Sequence, residues 1–322
     1  MQFPGSNSSG ESIDLNAVNS TGCHYYVGVD GGGSKTLAVV VDAQGHERGH
    51  GMAGSANHTA VGLEQAVAHI CAAVEEATRT ADCHLPLHAA WLGIAGIDRP
   101  ADYAMLFPHI RDLASVVHLT NDAELPLSAL DGTVGVALIA GTGSIALGRD
   151  PHGTTARVGG WGHIIGDEGS GYEIGRQGLQ AAVRAADGRG QPTTLLELIL
   201  QQWHLEKASD IIGQIYPAGD KALIARLSSL VLMAARAGDQ VARKIVQQAA
   251  GELALAVVAL SSILDFPSTR VPLALAGGLL VHETDFRSQV LRRIHRQRSI
   301  GQIAVVEHPA LSAAHAAVHL VQ

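Results

Sequence analysis

The sequence predicts an α/β protein made of two related halves, each containing a mixed β-sheet. Its main support is an internal repeat, in which an apolar strand, a glycine-rich turn and a second strand occur at 27–41 and again at 137–147. Gly31 of the first copy corresponds to Gly141 of the second, at a spacing of 110 residues. A further observation is the order strand–strand–strand–helix–strand–helix, which begins anew in the second half. The 322 residues are 47% hydrophobic and 16% charged, which is typical of a globular protein with a large core.

The first half is predicted to contain five strands and two helices. Three strands follow one another at its start, because short apolar runs alternate with turn residues. Val61–Thr80 has the apolar spacing of a helix, and the buried strand after it stops before a loop that Pro100 closes. A second helix is expected over about 121–130. The predicted strands are Tyr25–Asp30, Leu37–Val41, Glu47–Met52, Ala89–Ala95 and Ser115–Leu119.

The second half repeats the hairpin and then becomes mainly helical. A third strand is predicted near Thr154–Val158. Ser170 and Glu173 have the spacing of a capping box, which predicts the start of a helix. The remaining predicted elements are helices over about 171–186, 193–203, 220–236 and 239–264, strands at Pro272–Ala276 and Ile303–Val306, and a C-terminal helix from about Ala310.

Charge and cysteine content narrow the class of partner and the compartment. The formal net charge of −8 argues against a surface for nucleic acid or for an anionic membrane, and the arginines at 287–298 are expected to form a solvated helix face. No apolar run approaches the roughly 20 residues of a membrane span. Cys23, Cys71 and Cys83 form no CxxC pair, which favours free thiols in a reducing cytoplasm. The polar residues 1–24 predict a disordered leader rather than a signal peptide.

The two glycine turns are the main indication of function. Bare backbone amides bind phosphate well, and one such turn in each half predicts a phosphate chain held from both sides, as in an ATP-dependent phosphotransferase. The first turn resembles a Walker A loop and the second matches a dinucleotide fingerprint, but each continues into a strand where those motifs need a helix. Ordinary hairpin glycines are the alternative for either turn alone. The predicted phosphate-binding residues are Gly31, Gly32, Gly33, Ser34 and Thr36 in the first turn, and Gly141, Thr142, Gly143 and Ser144 in the second.

Two aspartates are candidates for direct roles in phosphoryl transfer. Asp30 ends the first strand beside the glycine turn, which suits it to hold Mg²⁺ through water; the alternative is an aspartate that shapes its own turn. Asp122 follows the strand Ser115–Leu119 at the C-terminal edge of the sheet, where open α/β sheets bind ligands, and it is the candidate general base. A helix N-cap explains an aspartate at this position equally well. Lys35 is expected to be a solvated residue of an edge strand.

The segment from Gly159 to Gly171 has a composition that suits a sugar. It combines Trp161 with flexible glycines and with the adjacent carboxylates of Asp167 and Glu168. The ring would contact the apolar face of a sugar and the acids would contact its hydroxyls. The alternatives are core packing for the tryptophan and, for the two acids, a favourable charge at a helix N-terminus.

Five motifs together resemble those of N-acetylglucosamine kinases, which belong to the BadF/BadG-type ATPases in the actin, sugar-kinase and heat-shock chaperone superfamily. The resemblance covers essentially everything after residue 24, and its most specific part is the tryptophan-containing segment. The motifs are Asp30-Gly-Gly-Gly-Ser34, Asn121-Asp122-Ala123, Gly141-Thr-Gly-Ser144, Gly159-Gly-Trp-Gly162 with Gly166-Asp-Glu-Gly-Ser170, and Ala276-Gly-Gly278.

The resemblance implies two ribonuclease-H-like domains that close over a cleft for ATP, Mg²⁺ and an amino sugar. The N-terminal domain would cover 25–132 and be completed by a C-terminal helix over 307–322, and the second domain would cover 133–306. Asp122 would deprotonate the primary 6-hydroxyl of the sugar, and a homodimer would be consistent with the family. The residues implied to contact the amino sugar are Asn57, Trp161, Gly162 and Asp167, and those implied to contact adenosine are Gly277 and Gly278.

The resemblance leaves the substrate open among N-acetylglucosamine, free glucosamine and N-acetylmuramate. The Trp-Gly and Asp-Glu elements favour an acetylated sugar, because glucosamine-preferring members lack them. A BadF-type activator ATPase would need cysteines around an iron–sulfur cluster, and the cysteine spacing here does not suit one. A non-catalytic sugar sensor would have no need of a base at Asp122.

Overall fold

The architecture consists of two five-stranded mixed sheets, each covered by helices. It is seen in a computed structural model that describes residues 24–216, 221–267 and 270–321. The predicted leader lies outside these residues apart from His24, and Cys23 lies outside them as well.

The first sheet has the strand order β3-β2-β1-β4-β5. Its central strand β1 pairs antiparallel with β2 and parallel with β4, which in turn pairs parallel with β5. All five strands predicted for the first half are confirmed, because short apolar runs between turns specify them locally. They are β1 (Tyr25–Gly31), β2 (Thr36–Asp42), β3 (Glu47–Ala53), β4 (Leu87–Ile94) and β5 (Ala114–Thr120).

The second sheet repeats this arrangement with the order β10-β9-β6-β7-β8. Its central strand β6 pairs antiparallel with β7 and parallel with β9, so that β6 to β10 occupy the positions of β1 to β5. The predicted duplication is confirmed, and both sheets have the ribonuclease-H-like order of actin-like ATPases. The strands are β6 (Gly135–Ala140), β7 (Ser144–Arg149), β8 (Thr155–Gly159), β9 (Arg270–Ala276) and β10 (Ser299–Val306).

Helices cover the sheet faces and form the two main cores. Buried residues of α2 pack on the first sheet, and those of α9 pack on the second. The helices of the described residues are α1 (His58–Val61), α2 (Leu63–Thr80), α3 (Pro100–Ile110), α4 (Gly171–Ala186), α5 (Leu195–Trp203), α6 (Ile211–Ile215), α7 (Lys221–Arg226), α8 (Ser228–Ala237), α9 (Gln240–Ile263), α10 (Gly278–Val281), α11 (Thr284–His295) and α12 (Pro309–His319).

The last helix, α12, returns to the first sheet. Ala313 and Ala317 of this helix are buried in one cluster with Trp91 of β4. The helix backbone approaches β1 so closely that a Cβ at Gly28 would lie 2.0 Å from the carbonyl oxygen of Ala310, so only glycine fits there. The chain thus completes its first half with its last helix, whereas the domain limits at 132 and 306 stay a prediction.

The helix predicted over about 121–130 is instead a 3₁₀ segment, Asp122–Ala129, named here the connecting segment. Pro126 lies inside it, and proline lacks the N–H that an α-helix would need at this place. Leu125 is buried in a cluster with the first sheet, and Leu127 is buried in a cluster with the second. The connecting segment therefore lies between the two sheets.

One further helix was not predicted, and one predicted helix is interrupted. The loop after β4 ends at Pro100 as predicted, and α3 begins there, because proline is favoured at the first helical position and the carboxylate of Asp102 accepts two backbone amides that precede the helix. The helix predicted over 220–236 is broken into α7 and α8. Near the break, α7 packs tightly on α4: a Cβ added at Gly175 of α4 would lie 2.0 Å from the carbonyl oxygen of Ile224. The helix is thus interrupted where it packs against α4.

One helix, α9, is long and apolar enough to cross a membrane by length and composition, with a mean hydropathy of 1.4. Half of this stretch is buried inside the protein. Ala250, Leu253 and Val257 lie in the main core of the second half. We therefore interpret α9 as a core helix.

Candidate active site

Three polar loops meet at the C-terminal edge of the first sheet. Because β1, β4 and β5 run parallel, their ends place Asp30, the loop after Ile94 and Asp122 at one edge. Asn121 Nδ2 donates a hydrogen bond to Asp98 Oδ1 at 2.9 Å, which joins the second loop to the third. Ligands of open α/β sheets bind at such an edge.

The carboxyl groups of Asp30 and Asp122 interact. Burial raises the pKa of Asp30 to about 6; the charge of Asp122 adds to the rise and Lys35 opposes it. Burial also raises the pKa of Asp122, a rise that a hydrogen bond from the Ala123 amide opposes and the charge of Asp98 increases. A raised pKa improves a carboxylate as a proton acceptor near neutral pH. Two carboxyl groups at one sheet edge are also suitable oxygen ligands for a cation.

The N-cap role that the sequence left open for Asp122 is taken by its neighbour, Asn121. Asn121 is the N-cap of the connecting segment, and its Oδ1 accepts a hydrogen bond from the Ala123 amide at 2.9 Å. Asp122 is the first residue of the segment, and its Oδ1 lies 2.9 Å from the same amide. The cap would therefore persist without the Asp122 carboxylate.

The first glycine turn is partly accessible. The Gly32 amide closes the turn by donating to a backbone carbonyl at 2.9 Å, and Gly33 and Ser34 are exposed. Thr36 is fully buried, and its hydroxyl donates to the Gly54 carbonyl at 2.7 Å. The Thr36 hydroxyl thus holds the neighbouring loop, while Gly33 and Ser34 face solvent.

Asn57 lies near the same edge. Its Oδ1 accepts hydrogen bonds from the amide and hydroxyl of Thr59, at 3.0 and 2.7 Å, which caps α1. The same oxygen would be 2.8 Å from a Cβ at Gly96, so Asn57 contacts the loop after β4. No described residue bonds to the Nδ2 of Asn57, which leaves that group as a donor for a ligand.

The second glycine turn packs against the N-terminus of α4. Ser144 donates through its amide to Asp167 Oδ1 at 3.2 Å and through its hydroxyl to the Glu168 carbonyl at 2.7 Å. The Gly171 amide donates to the Gly141 carbonyl at 2.8 Å. Asp167 is only 5% exposed and has a φ of 63°. The structure therefore places Asp167, a predicted sugar ligand, on the second glycine turn, where its carboxylate accepts a hydrogen bond from the Ser144 amide that was predicted to bind phosphate.

Gly277 and Gly278 adjoin this turn. A Cβ at Gly141 would lie 3.8 Å from the Gly278 nitrogen. Gly277 has a φ of 84°, and a Cβ there would meet the Ala140 carbonyl oxygen at 2.5 Å, so glycine is required. The predicted nucleotide-binding residues of the second half thus form one cluster.

Trp161 and Gly162 lie in the loop between β8 and α4. Trp161 is 62% exposed, so the alternative of core packing is wrong. The guanidinium carbon of Arg157 lies 4.9 Å from its ring centroid, as in a cation–π contact. The Gly162 carbonyl accepts a hydrogen bond from the Gly166 amide at 2.8 Å, which folds the loop back on itself.

A cavity of about 280 Å³ separates the connecting segment from β7 and β8. Its first wall includes Asp98, Asn121 and Glu124, and its second wall includes Arg157. It adjoins Asp122, whose two chain neighbours line it. Sequence reasoning missed Asp98, although a carboxylate after a strand at the same sheet edge was a usable signal. Glu124 and Arg157 reach the cavity only through tertiary structure.

Comparison with known proteins assigns the family. Residues 27–314 match the BadF/BadG/BcrA/BcrD ATPase family. The chain belongs to this family. Membership implies the use of ATP, in agreement with the paired glycine turns.

Three relatives of this ATPase-family member are named as sugar kinases. It is 36% identical over 261 residues to the N-acetylmuramic acid/N-acetylglucosamine kinase of Clostridium acetobutylicum, covering 80% of this chain and 85% of that protein. It is 32% identical over 245 residues to the N-acetyl-D-glucosamine kinase of Dictyostelium discoideum, covering 71% and 76%. It is 28% identical over 244 residues to a glucosamine kinase of Vibrio cholerae, covering 74% and 80%.

Solved structures agree on the fold. A provisionally named N-acetylglucosamine kinase from Chromobacterium violaceum superposes with a TM-score of 0.71 at 25% identity, covering 93% of this chain and 99% of that one. The ROK hexokinase of Thermus thermophilus superposes with a TM-score of 0.55 at 18% identity, covering 92% and 99%. The ATPase therefore has the predicted actin-like, two-sheet fold.

Proposed function

We propose that this ATPase-family member transfers the γ-phosphoryl group of ATP to the 6-hydroxyl of N-acetylglucosamine, with Asp122 as the general base. The observation that carries the proposal is the carboxyl group of Asp122, which has a raised pKa and adjoins the cavity between the two sheets. The relatives named as amino-sugar kinases support the substrate class.

The chemistry assigned to Asp122 is a single proton transfer. The sugar hydroxyl oxygen forms a bond to the γ-phosphorus as the bond from that phosphorus to the ADP oxygen breaks. The hydroxyl proton goes to the Asp122 carboxylate. Burial of this carboxylate favours its protonated form, which assists the transfer.

The residues at this edge fit a magnesium ion. Asp30 and Asp122 supply hard oxygen donors. Burial and, after it, the charge of Asp122 raise the pKa of Asp30, and a cation would relieve that repulsion. We propose that Asp30 holds the ion through water. When bound, the ion would neutralise charge on the phosphate oxygens.

The remaining ligand contacts are proposals from the same arrangement. Asn57 has an unengaged amide donor near the sheet edge, and Trp161 presents an exposed ring from the opposite half. We assign both to the sugar, together with Gly162 and, after it leaves the Ser144 amide, Asp167. We assign the two glycine turns to the phosphates, and the cluster at 277–278 to the adenosine.

A substrate panel tests the proposal. Purified protein with MgATP is incubated separately with N-acetylglucosamine, N-acetylmuramate, glucosamine, glucose and no sugar, and ADP formation and phosphosugar are measured. We expect N-acetylglucosamine to be the fastest substrate with phosphate on its 6-oxygen, glucosamine to be slower and glucose to be poorest. Equal turnover of all hexoses, or turnover of no amino sugar, would contradict the proposal.

N-acetylmuramate is the second candidate, favoured by Arg157. This residue lines the cavity beside Asp122, and among the described residues its guanidinium has no carboxylate within ion-pair distance. A free guanidinium suits the lactyl carboxylate that distinguishes N-acetylmuramate. If that sugar is a substrate, Arg157→Gln should raise its KM by about 10-fold while leaving the KM of N-acetylglucosamine nearly unchanged.

The cysteines bear on two hypotheses, namely a BadF-type activator ATPase and a cytoplasmic location. Cys71 and Cys83 are free thiols, both in the first half, and burial raises the pKa of each. Among the residues that the structure describes, no three His, Cys, Asp or Glu side chains are grouped to hold a metal ion. We propose a cytoplasmic protein, and the homodimer that the family resemblance suggests can be tested by sedimentation.

A further inference from the structure

The connecting segment, Asp122–Ala129, contacts both halves and begins at the proposed base. Leu125 fits so closely over the first sheet that a Cβ at Gly93 would lie 2.3 Å from its Cγ. Leu127 is 2% exposed and is buried with Ala137 of the second sheet. Any movement of one half relative to the other must therefore act on the segment that carries Asp122.

One ion pair joins this segment to the second sheet. Glu124 Oε2 lies 2.6 Å from Arg149 Nη2, and the two side chains are only 25% and 22% exposed. Arg149 Nη1 also donates to Thr133 Oγ1, in the link between the halves, at 3.3 Å. Burial raises the pKa of Glu124, and the Arg149 charge opposes this rise. Arg149 also contributes, after burial, to a lowered pKa of His118 on β5, so its charge acts on the first sheet as well.

The strand that carries Arg149, β7, begins at the second glycine turn. Arg149 ends β7, and Ser144 begins it. The strand is hydrogen-bonded on both sides, to β6 and to β8, and this pairing makes it rigid along its length of about 17 Å. A side chain held at one end of β7 is thereby held in fixed relation to the glycine turn at the other end.

We propose that Glu124 and Arg149 are positioning residues that align the base with the phosphate turn. The inference rests on the proposed function of Asp122. The pair fixes the connecting segment to β7, so that the base and the second glycine turn move as one unit when ligands bind. Glu124 lines the cavity beside Asp122, and we assign neither side chain a contact with the reacting atoms. Their effect is on the geometry of proton transfer, where a displacement of about 1 Å can cost about 100-fold in rate.

The main alternative is that the pair only stabilises the fold. A buried ion pair often contributes little net stability, whereas removal of one partner leaves an unpaired buried charge. The informative variant is therefore Glu124→Gln/Arg149→Met, which removes both charges together. Asp42→Asn/Arg48→Met is the matched control, because it also removes both charges of an ion pair: Arg48 Nη2 lies 2.6 Å from Asp42 Oδ2, at the opposite edge of the first sheet from Asp122.

The kinetic test compares the double variant and the control with the unaltered protein. We expect the double variant to lose about 10- to 100-fold in kcat while its KM values for ATP and for the sugar stay within about twofold. Its melting temperature should stay within a few degrees of that of the unaltered protein. The control should keep the normal kcat. A double variant with normal kcat overturns the proposal, and so does a loss of kcat that merely follows a loss of folded protein.

A second measurement does not depend on turnover. Hydrogen–deuterium exchange is followed with and without a nonhydrolysable ATP analogue and Mg²⁺. In the unaltered protein we expect the analogue to protect both the second glycine turn and the connecting segment. In the double variant only the turn should gain protection. If the segment is still protected in that variant, the inference is wrong. If coupling is lost as expected but no sugar is phosphorylated by the unaltered protein, the proposed function is wrong, and only the mechanical coupling of the connecting segment to the second glycine turn stands.

Discussion

The carboxylate of Asp167 accepts a hydrogen bond from the backbone amide of Ser144, at 3.2 Å between Oδ1 and nitrogen. Asp167 reaches this place because its backbone adopts a positive φ of 63°, and both its carboxylate oxygens would lie 3.0 Å from a Cβ at Gly143. A carboxylate thus lies where the second turn is proposed to receive phosphate. We infer that sugar binding, which is proposed to use Asp167, also frees the Ser144 amide.

Asp167→Asn tests this relationship. The change removes a negative charge beside the phosphate turn but keeps a side chain of the same size. Without sugar, we expect the Kd for ATP to fall by roughly fivefold, which corresponds to about 1 kcal/mol of relieved repulsion. The Kd for the sugar should rise, because a hydrogen-bond acceptor is weakened. Calorimetry measures both, and unchanged ATP affinity would show that the Asp167 charge does not reach the bound phosphates.

Asp122→Asn separates catalysis from folding. Because Asn121 is the cap of the connecting segment, the variant should keep its melting temperature. It should lose about 100- to 10,000-fold in kcat, since general-base catalysis contributes that much. Asn121→Ala is the complementary variant, and it should lose about 1 kcal/mol of stability with its cap. Near-normal kcat in Asp122→Asn would leave the base unassigned, with Asp167 as the next candidate.

Asp30 should release a proton when MgATP binds. Its pKa of about 6 means that roughly half of the free protein is protonated at this group at pH 6. A bound cation would lower that pKa, so about half a proton should be released at pH 6 and almost none at pH 8. Calorimetry in two buffers with different ionisation enthalpies measures the release. Asp30→Asn should abolish it, and release that persists in this variant would come from another group.

The same shift predicts how stability depends on pH. A carboxyl group whose pKa is raised on folding binds protons more tightly in the folded state. The contribution of Asp30 to the free energy of unfolding is therefore favourable below about pH 4 and is lost as the pH rises through about 6. The loss amounts to at most about 3 kcal/mol. Urea titrations from pH 4 to 7.5 should show a smaller decline for Asp30→Asn than for the unaltered protein.

The sheets could be predicted from the sequence because their signals are local. Each glycine turn lies between two short apolar runs, and the repeat of the turn 110 residues later identified the duplicated fold. The position of Asp122 at the sheet edge followed from the same reasoning. The 3₁₀ form of Asp122–Ala129 did not, because the residues Asn121 and Asp122 have the local signature of a helix start, which Pro126 then overrides.

The electrostatic connections of the site could not be predicted in this way. The contact of Glu124 with Arg149 joins residues of different halves, and neither residue belongs to a motif. The contact of Asp167 with Ser144 depends on an unusual backbone conformation in a glycine-rich loop. Sequence spacing predicts which residues belong to such a site, whereas the tertiary structure determines which of their side chains are in contact.

Asp98→Asn tests the electrostatic assignment of the base without altering it. The charge of Asp98 helps to raise the pKa of Asp122, and Asp98 also accepts the hydrogen bond from Asn121 Nδ2. Asparagine can still accept that bond through its carbonyl oxygen, so the loop should keep its place. Because Asp122 must be ionised to accept a proton, kcat/KM should rise with pH through the pKa of this group.

Removal of the Asp98 charge should therefore move the rising limb of the kcat/KM profile to lower pH. The control is Asp112→Asn, at a side chain that is 91% exposed on the 3₁₀ turn before β5, and it should leave the limb in place. A limb that moves to higher pH in Asp98→Asn, or equally in both variants, would mean that another group controls the rate. An unchanged plateau with a shifted limb would assign the titration to Asp122, because only its pKa and not its geometry would have changed.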